Sequence, residues 1–468
     1  MLRPKARSRR PSCARLALTA LLAGCAGAPA TDAPRPNVLL LYADDLGWND
    51  LGCYGNADHH TPAIDALAAA GARFTDAYAA AAVCAPSRAS LMTGRDVLAH
   101  GIYCINDPEQ RHPEARLLDS PTNQRRLPRE LPTLAEALQR AGYRTGCYGK
   151  WHLGHDGDQV SEWHPLSRGF EEAVQTRSPS GKKRYFYPTF STIPEVPIEA
   201  GVHMSDFVSD QAKGFLDRDD GRPWFLYLPY FSVHGPREAK PESLRAAKAR
   251  GLKGREAVYA AMCADLDAAV GAVLTHLEAR GLADDTIVIF ASDNGGTIAS
   301  DNAPLRAGKG WLFEGGVRTP LIVRWPGVTS PGATFDQAVT QLDLFPTLCR
   351  AAGAAVAPEL DGVDLAPLLA GGDVADRPLC FHAPDYGAFR QGAFARKPTS
   401  ALRQGSLKLV YDHETRRAAL YDLSRDLSES EDLSGARPAQ ASAIEDALRR
   451  WLGENAALQP TRRGSSRR

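Results

Sequence analysis

In the stretch Asn37-Val38-Leu39-Leu40-Leu41-Tyr42 every residue after Asn37 is apolar, and the run stops at Ala43-Asp44-Asp45. A strand with one wet face alternates polar and apolar residues, so an unbroken run belongs to a strand covered on both faces, as in a parallel sheet between helices. The pattern recurs at Trp224-Phe225-Leu226-Tyr227-Leu228, which leads to Phe231-Ser232-Val233-His234-Gly235-Pro236, and at Thr286-Ile287-Val288-Ile289-Phe290, which leads to Ser292-Asp293-Asn294-Gly295-Gly296. A shorter run, residues 143–148, delivers Gly149-Lys150-Trp151-His152-Leu153-Gly154. Helical patterns lie between these runs: 61–68 with a capped start at Thr61, 131–142, 206–216, and 256–279 with Tyr259, Met262, Leu266, Val270 and Leu274 near helical spacing. The alternation predicts an α/β fold with one large, mostly parallel sheet flanked by helices, its carboxyl edge carrying every unusual polar group.

At 468 residues the chain exceeds the size at which one core stops growing, so a large domain plus a smaller one is expected. We assign residues 35–355 to the large domain and 356–377, rich in Ala, Gly, Pro and Leu, to a connection. Residues 378–455 form a small subdomain, a C-terminal antiparallel sheet (407–411, 419–423) plus a helix (441–451). The polar tail, 456–468, is expected to be disordered. Lys+Arg and Asp+Glu balance at 55 each, so bulk charge supports neither nucleic acid nor an anionic membrane as partner.

Residues 1–25 read as a signal peptide: Arg3, Lys5, Arg7, Arg9 and Arg10 precede the apolar run 16–22, which is too short to span a bilayer. Leu22-Ala23-Gly24-Cys25 resembles a bacterial lipobox, which implies cleavage before Cys25 and a lipid anchor on its sulfur; a plain signal cut near Ala28 or Ala30 is the other route. By either route an exported bacterial protein is expected, periplasmic or a membrane-anchored lipoprotein, with no other segment apolar enough to cross a membrane. Six cysteines remain besides Cys13, Cys25 and Cys84, at 53, 104, 147, 263, 349 and 380. Some would pair in an oxidising space, though no spacing says which. There is no Cys-x-x-Cys, which argues against a zinc ribbon or thioredoxin-like chemistry.

The chemistry centres on Cys84-Ala85-Pro86-Ser87-Arg88-Ala89-Ser90-Leu91-Met92-Thr93-Gly94-Arg95. Proline is tolerated in a first helical turn, so Cys84 is expected at a helix mouth, with free N–H groups around it and Arg88 one turn away. A lone Cys-x-Pro usually marks a buried structural cysteine; here its company matters. Asp44 and Asp45 are costly together unless a cation neutralises them. Lys150 and His152, His234, Asp293-Asn294, and Lys309 in Gly308-Lys309-Gly310 are each weak signals, but at strand ends of one sheet they would converge. No Gly-rich phosphate loop or dinucleotide fingerprint competes. The irregular span 156–202, with Lys182-Lys183-Arg184, is assigned to substrate selection.

Residues 84–95 resemble the signature of the type I, formylglycine-dependent sulfatases of the alkaline phosphatase superfamily. Residues 37–55, 149–154, 232–236, 292–296 and 308–320 resemble the other blocks of arylsulfatase-like enzymes, in the family's order, and Tyr421-Asp422-Leu423 resembles its C-terminal hallmark. The resemblance implies the alkaline phosphatase-like sulfatase fold and hydrolysis of sulfate monoesters on a small molecule or glycan, with sulfated carbohydrates the expected substrates. It also implies conversion of Cys84 to formylglycine by a maturation enzyme. By the same resemblance Asp44, Asp45, Asp293, Asn294 and the modified Cys84 bind a divalent cation, calcium rather than magnesium; a set of oxygen donors suits either better than zinc. Arg88 would hold the formylglycine hydrate, while Lys150 and Lys309 grip sulfate oxygens. His234, helped by Lys309, would protonate the leaving alcohol, and His152 would take the proton that frees the sulfate.

Two rival readings remain at this point. A phosphate or phosphonate ester hydrolase of the same superfamily could use the same groups, and comparing aryl sulfate with aryl phosphate separates them. A non-catalytic lipoprotein that binds sulfated glycans would have no use for the histidine acid and base.

Overall fold

In the computed structural model the run that opened the sequence is the central strand, Asn37–Ala43. The described residues are 35–105, 112–154, 160–177, 185–391, 393–453 and 458–463. The leader with Cys25, Lys182-Lys183-Arg184 and the last five residues lie outside them. Among the described residues nine strands make one sheet in the order Ala333–Phe335, Ala72–Phe74, Leu321–Arg324, Thr286–Ser292, Asn37–Ala43, Trp224–Pro229, Arg144–Gly149, Glu172–Arg177, Ser191–Ile193. The central five, from Thr286–Ser292 to Glu172–Arg177, are parallel. Leu321–Arg324 and Ser191–Ile193 run antiparallel to those five.

Both faces of the central strand are covered, which is why its sequence does not alternate. Val38, Leu40 and Tyr42 join a core with Trp151, Phe225 and Ile289, whereas Leu39, Leu41 and Ala43 join Tyr259, Met262, Leu266 and Val270 of the helix Gly254–Ala279. That helix corrects one expectation. Its mean hydropathy of 1.6 over 18 residues makes it long and apolar enough to cross a membrane, but 67% of that window is buried inside the fold.

Four further details depart from expectation. The start of helix Pro62–Ala70 is not capped by Thr61, whose hydroxyl accepts from Gly52 N–H; the Asp267 carboxylate accepts from Ala63 and Ile64 N–H instead, a cap supplied from another helix. Part of the span expected to be irregular supplies the last two strands of the sheet, Glu172–Arg177 and the edge strand Ser191–Ile193. The first has Val174 as its only large apolar residue and the second has three residues, too little for a period-two signal. Among the described cysteines, Cys53, Cys84, Cys147, Cys263, Cys349 and Cys380 are free thiols. The tail is ordered where described: Thr461–Arg462 pairs with Leu118–Asp119, and Gln459 Nε2 donates to Leu452 O.

The C-terminal part is a four-stranded antiparallel sheet, Leu379–Ala383, Thr399–Gln404, Leu407–Asp412 and Arg417–Asp422, with helix Pro438–Gly453 on one face through Ala441, Ile444 and Leu448. Leu379, Phe381 and Val410 on the other face meet Tyr78, Leu312 and Val317. Residues 356–377 pack on the main core through Leu365, Leu368 and Leu369. Between the C-terminal sheet and the Lys309 loop lies a buried charge cluster. Lys408 Nζ is 2.8 Å from Glu314 Oε1 and 3.1 Å from Glu429 Oε1, and Glu429 Oε2 accepts from Glu314 N–H at 2.6 Å. Lys408→Met leaves Glu429 buried without its cation and Glu314 with Arg318 alone (3.2 Å), so it is expected to lower stability by ~3–5 kcal/mol in denaturant unfolding.

Candidate active site

Cys84 is the first residue of the helix Cys84–Thr93, every residue of which is buried, and Gly94 closes the helix with φ 64°. The thiol has no exposure. Its Sγ lies 3.1 Å from Lys309 Nζ and 3.9 Å from Asp45 Oδ1. Burial pushes the thiol up to about 12 against the pull of Lys150 and Lys309, so it is a neutral thiol at ordinary pH. A neutral thiol is a poor nucleophile.

The strand ends are stapled together around it. Asp44 N–H donates to Ser232 O (2.9 Å), Asp293 N–H to Ala43 O (3.1 Å), and Asp45 N–H to Asp293 Oδ1 (3.1 Å). Asp45 has φ 65° and His152 φ 64°, left-handed conformations that cost roughly 1–3 kcal/mol each and that cluster at working sites. Gly149 is required where its strand crosses close to another: a Cβ there would sit 2.1 Å from Pro229 O. Gly295 has the same role, since a Cβ would meet Gly315 O at 1.9 Å. That close approach lets the Lys309 loop lie on the Asp293-Asn294 turn, with Lys309 N–H on Gly296 O and Gly295 N–H on Gly316 O.

Three carboxylates face three cations. Lys150 Nζ is 2.5 Å from Asp44 Oδ2, Lys309 Nζ is 2.5 Å from Asp45 Oδ1, and Arg88 Nη2 is 2.7 Å from Asp293 Oδ2. Burial alone would raise the Asp45 carboxyl, but Lys309, His234 and Lys150 hold it well below the usual carboxylate range. Asp293 goes the other way: burial and Asp44 push it up to about 6 despite Arg88. Arg88 donates to Asp293 and to Lys150 O (3.1 Å), so its guanidinium is turned to Asp293 instead of back to the sulfur.

The imidazoles complete the ring of groups. His234 Nδ1 donates to Gly235 O at 2.6 Å, and its Nε2 is 3.8 Å from Asp45 Oδ2. Burial, then Lys150, lowers His234 to about 3, and burial with Lys150 and Arg88 keeps His152 well below the usual histidine range. His152 Nδ1 is buried without a hydrogen-bond partner.

The donor set fits a hard divalent cation. Ligand atoms of Asp44, Asp45, Cys84 and His234 lie within 4.8 Å of one another, and two buried oxygens, Asp44 Oδ1 and Asn294 Oδ1, lack hydrogen-bond partners. The side chain of Asn294 is anchored through Nδ2 on Asp45 Oδ1 (2.9 Å). All ten residues singled out in the sequence are therefore brought to one edge of the sheet. His234 also joins the metal-capable cluster, a position the sequence did not suggest.

Two supporting residues carry no sequence signal. Gln341 links Tyr42 and Ser87 on one side to the Ser292 carbonyl on the other, and Tyr185 Oη donates to Phe231 O (3.0 Å) and His234 O (2.7 Å). Both are lone polar residues whose partners are distant in the chain.

A parallel sheet whose carboxyl edge gathers acids, cations and imidazoles at a helix mouth defines a hydrolase acting on a tetrahedral oxyanion ester. The narrower assignment comes from comparison with known proteins. A family model described as Sulfatase matches residues 36–354, and one described as N-sulphoglucosamine sulphohydrolase, C-terminal, matches residues 307–457. Arylsulfatase A of Homo sapiens is 33% identical, covering 92% of this chain and 89% of that protein. N-acetylgalactosamine-6-sulfatase of Canis lupus familiaris is 34% identical, covering 79% and 72%. The crystal structure of Ps i-CgsB in complex with k-i-k-neocarrahexaose superposes with a TM-score of 0.77 at 29% identity, covering 91% of this chain and 94% of that one. The chain belongs to the sulfatase family, with the alkaline phosphatase-like fold, and is a sulfuric ester hydrolase.

Proposed function

We propose that this sulfatase removes sulfate from sulfated carbohydrates, using formylglycine made from Cys84 by a maturation enzyme and a calcium ion held by Asp44, Asp45, Asp293, Asn294 and residue 84. The observation that carries the reading is the buried cluster of three acids and three cations around Cys84, with two acceptor oxygens left unpartnered. The hydrated aldehyde supplies an oxygen nucleophile with a second hydroxyl to release the sulfate, and the cation supplies neutralising charge among the acids. Calcium is favoured over zinc because the protein donors are hard oxygens.

The chain's own groups divide the remaining work. Lys150 and Lys309, paired with Asp44 and Asp45, carry the positive charges that meet the sulfate oxygens. Arg88 keeps Asp293 charged and oriented, a positioning task. With Nδ1 committed to Gly235 O, His234 carries and releases a proton at Nε2, facing the departing alcohol. An anionic ester beside it opposes the burial and Lys150 effects that keep the ring neutral. His152, whose Nδ1 is unpartnered, accepts the proton that accompanies sulfate release.

Carbohydrate substrates are supported by relatives named N-acetylgalactosamine-6-sulfatase and by a structural relative in complex with k-i-k-neocarrahexaose. Export, with or without lipidation at Cys25, suits such polymers. Turnover of 4-nitrophenyl sulfate should exceed that of 4-nitrophenyl phosphate by at least about tenfold in kcat/KM, ~1.4 kcal/mol of transition-state preference. The reverse order would favour the phosphate or phosphonate reading, and no turnover of either would favour a binding protein. Desulfation across a panel of sulfated sugars then identifies the substrate.

A further inference from the structure

Lys309 has a second environment beside the catalytic cluster. It also lines a cavity of about 490 Å3 between its own loop, the 297–302 turn after Asn294, and the strand pair Phe389–Arg390 and Ala393–Phe394. The charged residues of this cavity are Lys309, Arg390 and Arg396, with no carboxylate among the described lining residues. Arg396 is fixed by Asp385 (2.7 Å), while Arg390 is exposed. Trp311 and Ala395 line both this cavity and a neighbouring one of about 740 Å3 that runs along Phe313 and Phe394. The indole is oriented by stacking on Phe313 (6.2 Å between centroids, 27°), whose ring carries the Arg306 guanidinium at 3.9 Å.

These features match one class of ligand. An aromatic side chain standing between two grooves suits the apolar face of a pyranose ring, and a lining whose charged residues are all basic suits a sugar that bears acidic groups. Lys309 joins the two regions, because the residue that lines the cavity also places Nζ 3.1 Å from Cys84 Sγ. We propose that this cavity binds the sugar adjoining the one that carries the scissile sulfate, with Trp311 stacked on its ring and Arg390 paired to an acidic group on it. The substrate is then a multiply anionic oligosaccharide, recognised where the Lys309 loop meets the C-terminal part of the chain instead of by residues 156–202. The proposal rests on the carbohydrate sulfatase reading above.

The test compares Trp311→Ala and Arg390→Gln with the unaltered enzyme on 4-nitrophenyl sulfate and on sulfated tetrasaccharides prepared from carrageenan and from chondroitin. At least one tetrasaccharide series should be turned over with higher kcat/KM than the aryl sulfate. On it, W311A should lose about tenfold more than on the aryl sulfate, mainly through KM. R390Q, altered at an exposed position, should lose several-fold more on a doubly than on a singly sulfated tetrasaccharide. Equal losses on small and large substrates, or no tetrasaccharide preferred to the aryl sulfate, would overturn the proposal while leaving the sulfatase reading intact. Absence of aryl sulfate and tetrasaccharide turnover by the unaltered enzyme would overturn both.

Discussion

Cys84→Ala should lower kcat for sulfate ester hydrolysis by at least about 10⁴-fold while the protein stays folded. The residue is the first of a buried helix, where alanine is a better helix former than cysteine and the lost volume is one sulfur. Thermal unfolding should therefore move by only a few degrees. The contrast with Cys84→Ser is informative: serine restores an oxygen at the position but provides one hydroxyl only, so sulfate once transferred has no geminal hydroxyl to expel it. Both variants should be inactive in steady-state turnover. Appreciable steady-state activity in C84S would show that a simple hydroxyl suffices.

Asp293→Ala is expected to do two things at once. It removes a proposed cation ligand, and it strips Arg88 of its partner 2.7 Å away in a fully buried site. Leaving that guanidinium with only the more distant Asp44 (3.8 Å) should cost ~3–5 kcal/mol of stability, so the variant should unfold at lower denaturant as well as lose activity. Chelation separates the two effects, because it removes the ion without touching Arg88. Exhaustive treatment with a calcium chelator should abolish turnover, and added calcium should restore it. Full activity after chelation would contradict the cation's part in the reaction.

Much of this site was legible because the features that signal it are local. A short, Leu/Val-rich run apolar on both faces, such as residues 38–42, fits an interior strand, and Asp44-Asp45 or Asp293-Asn294 directly after such a run lies at a carboxyl edge. Cys84 and Pro86 place themselves at a helix start for the same local reason. What stayed hidden is set by distant partners. Arg88 is one turn from Cys84, so helical spacing alone would turn it toward the sulfur; the buried carboxylate of Asp293, 205 residues on, attracts it more strongly. Gln341 and Tyr185 act through hydrogen bonds to groups remote in the chain, and no spacing encodes those. The strands at 172–177 and 191–193, the last two of the sheet, were missed because short strands with one or no large apolar residue per face show no period.

The hard oxygen donors around a neutral, buried thiol form the core of this account, since that combination asks for an oxygen at position 84 in the working enzyme. Mass spectrometry of the peptide containing Cys84, from protein with measured sulfatase activity, tests it most directly. Formylglycine at residue 84, in a fraction that rises in proportion to specific activity across preparations, is the expected result. Full activity in protein whose Cys84 is entirely unmodified thiol would contradict it.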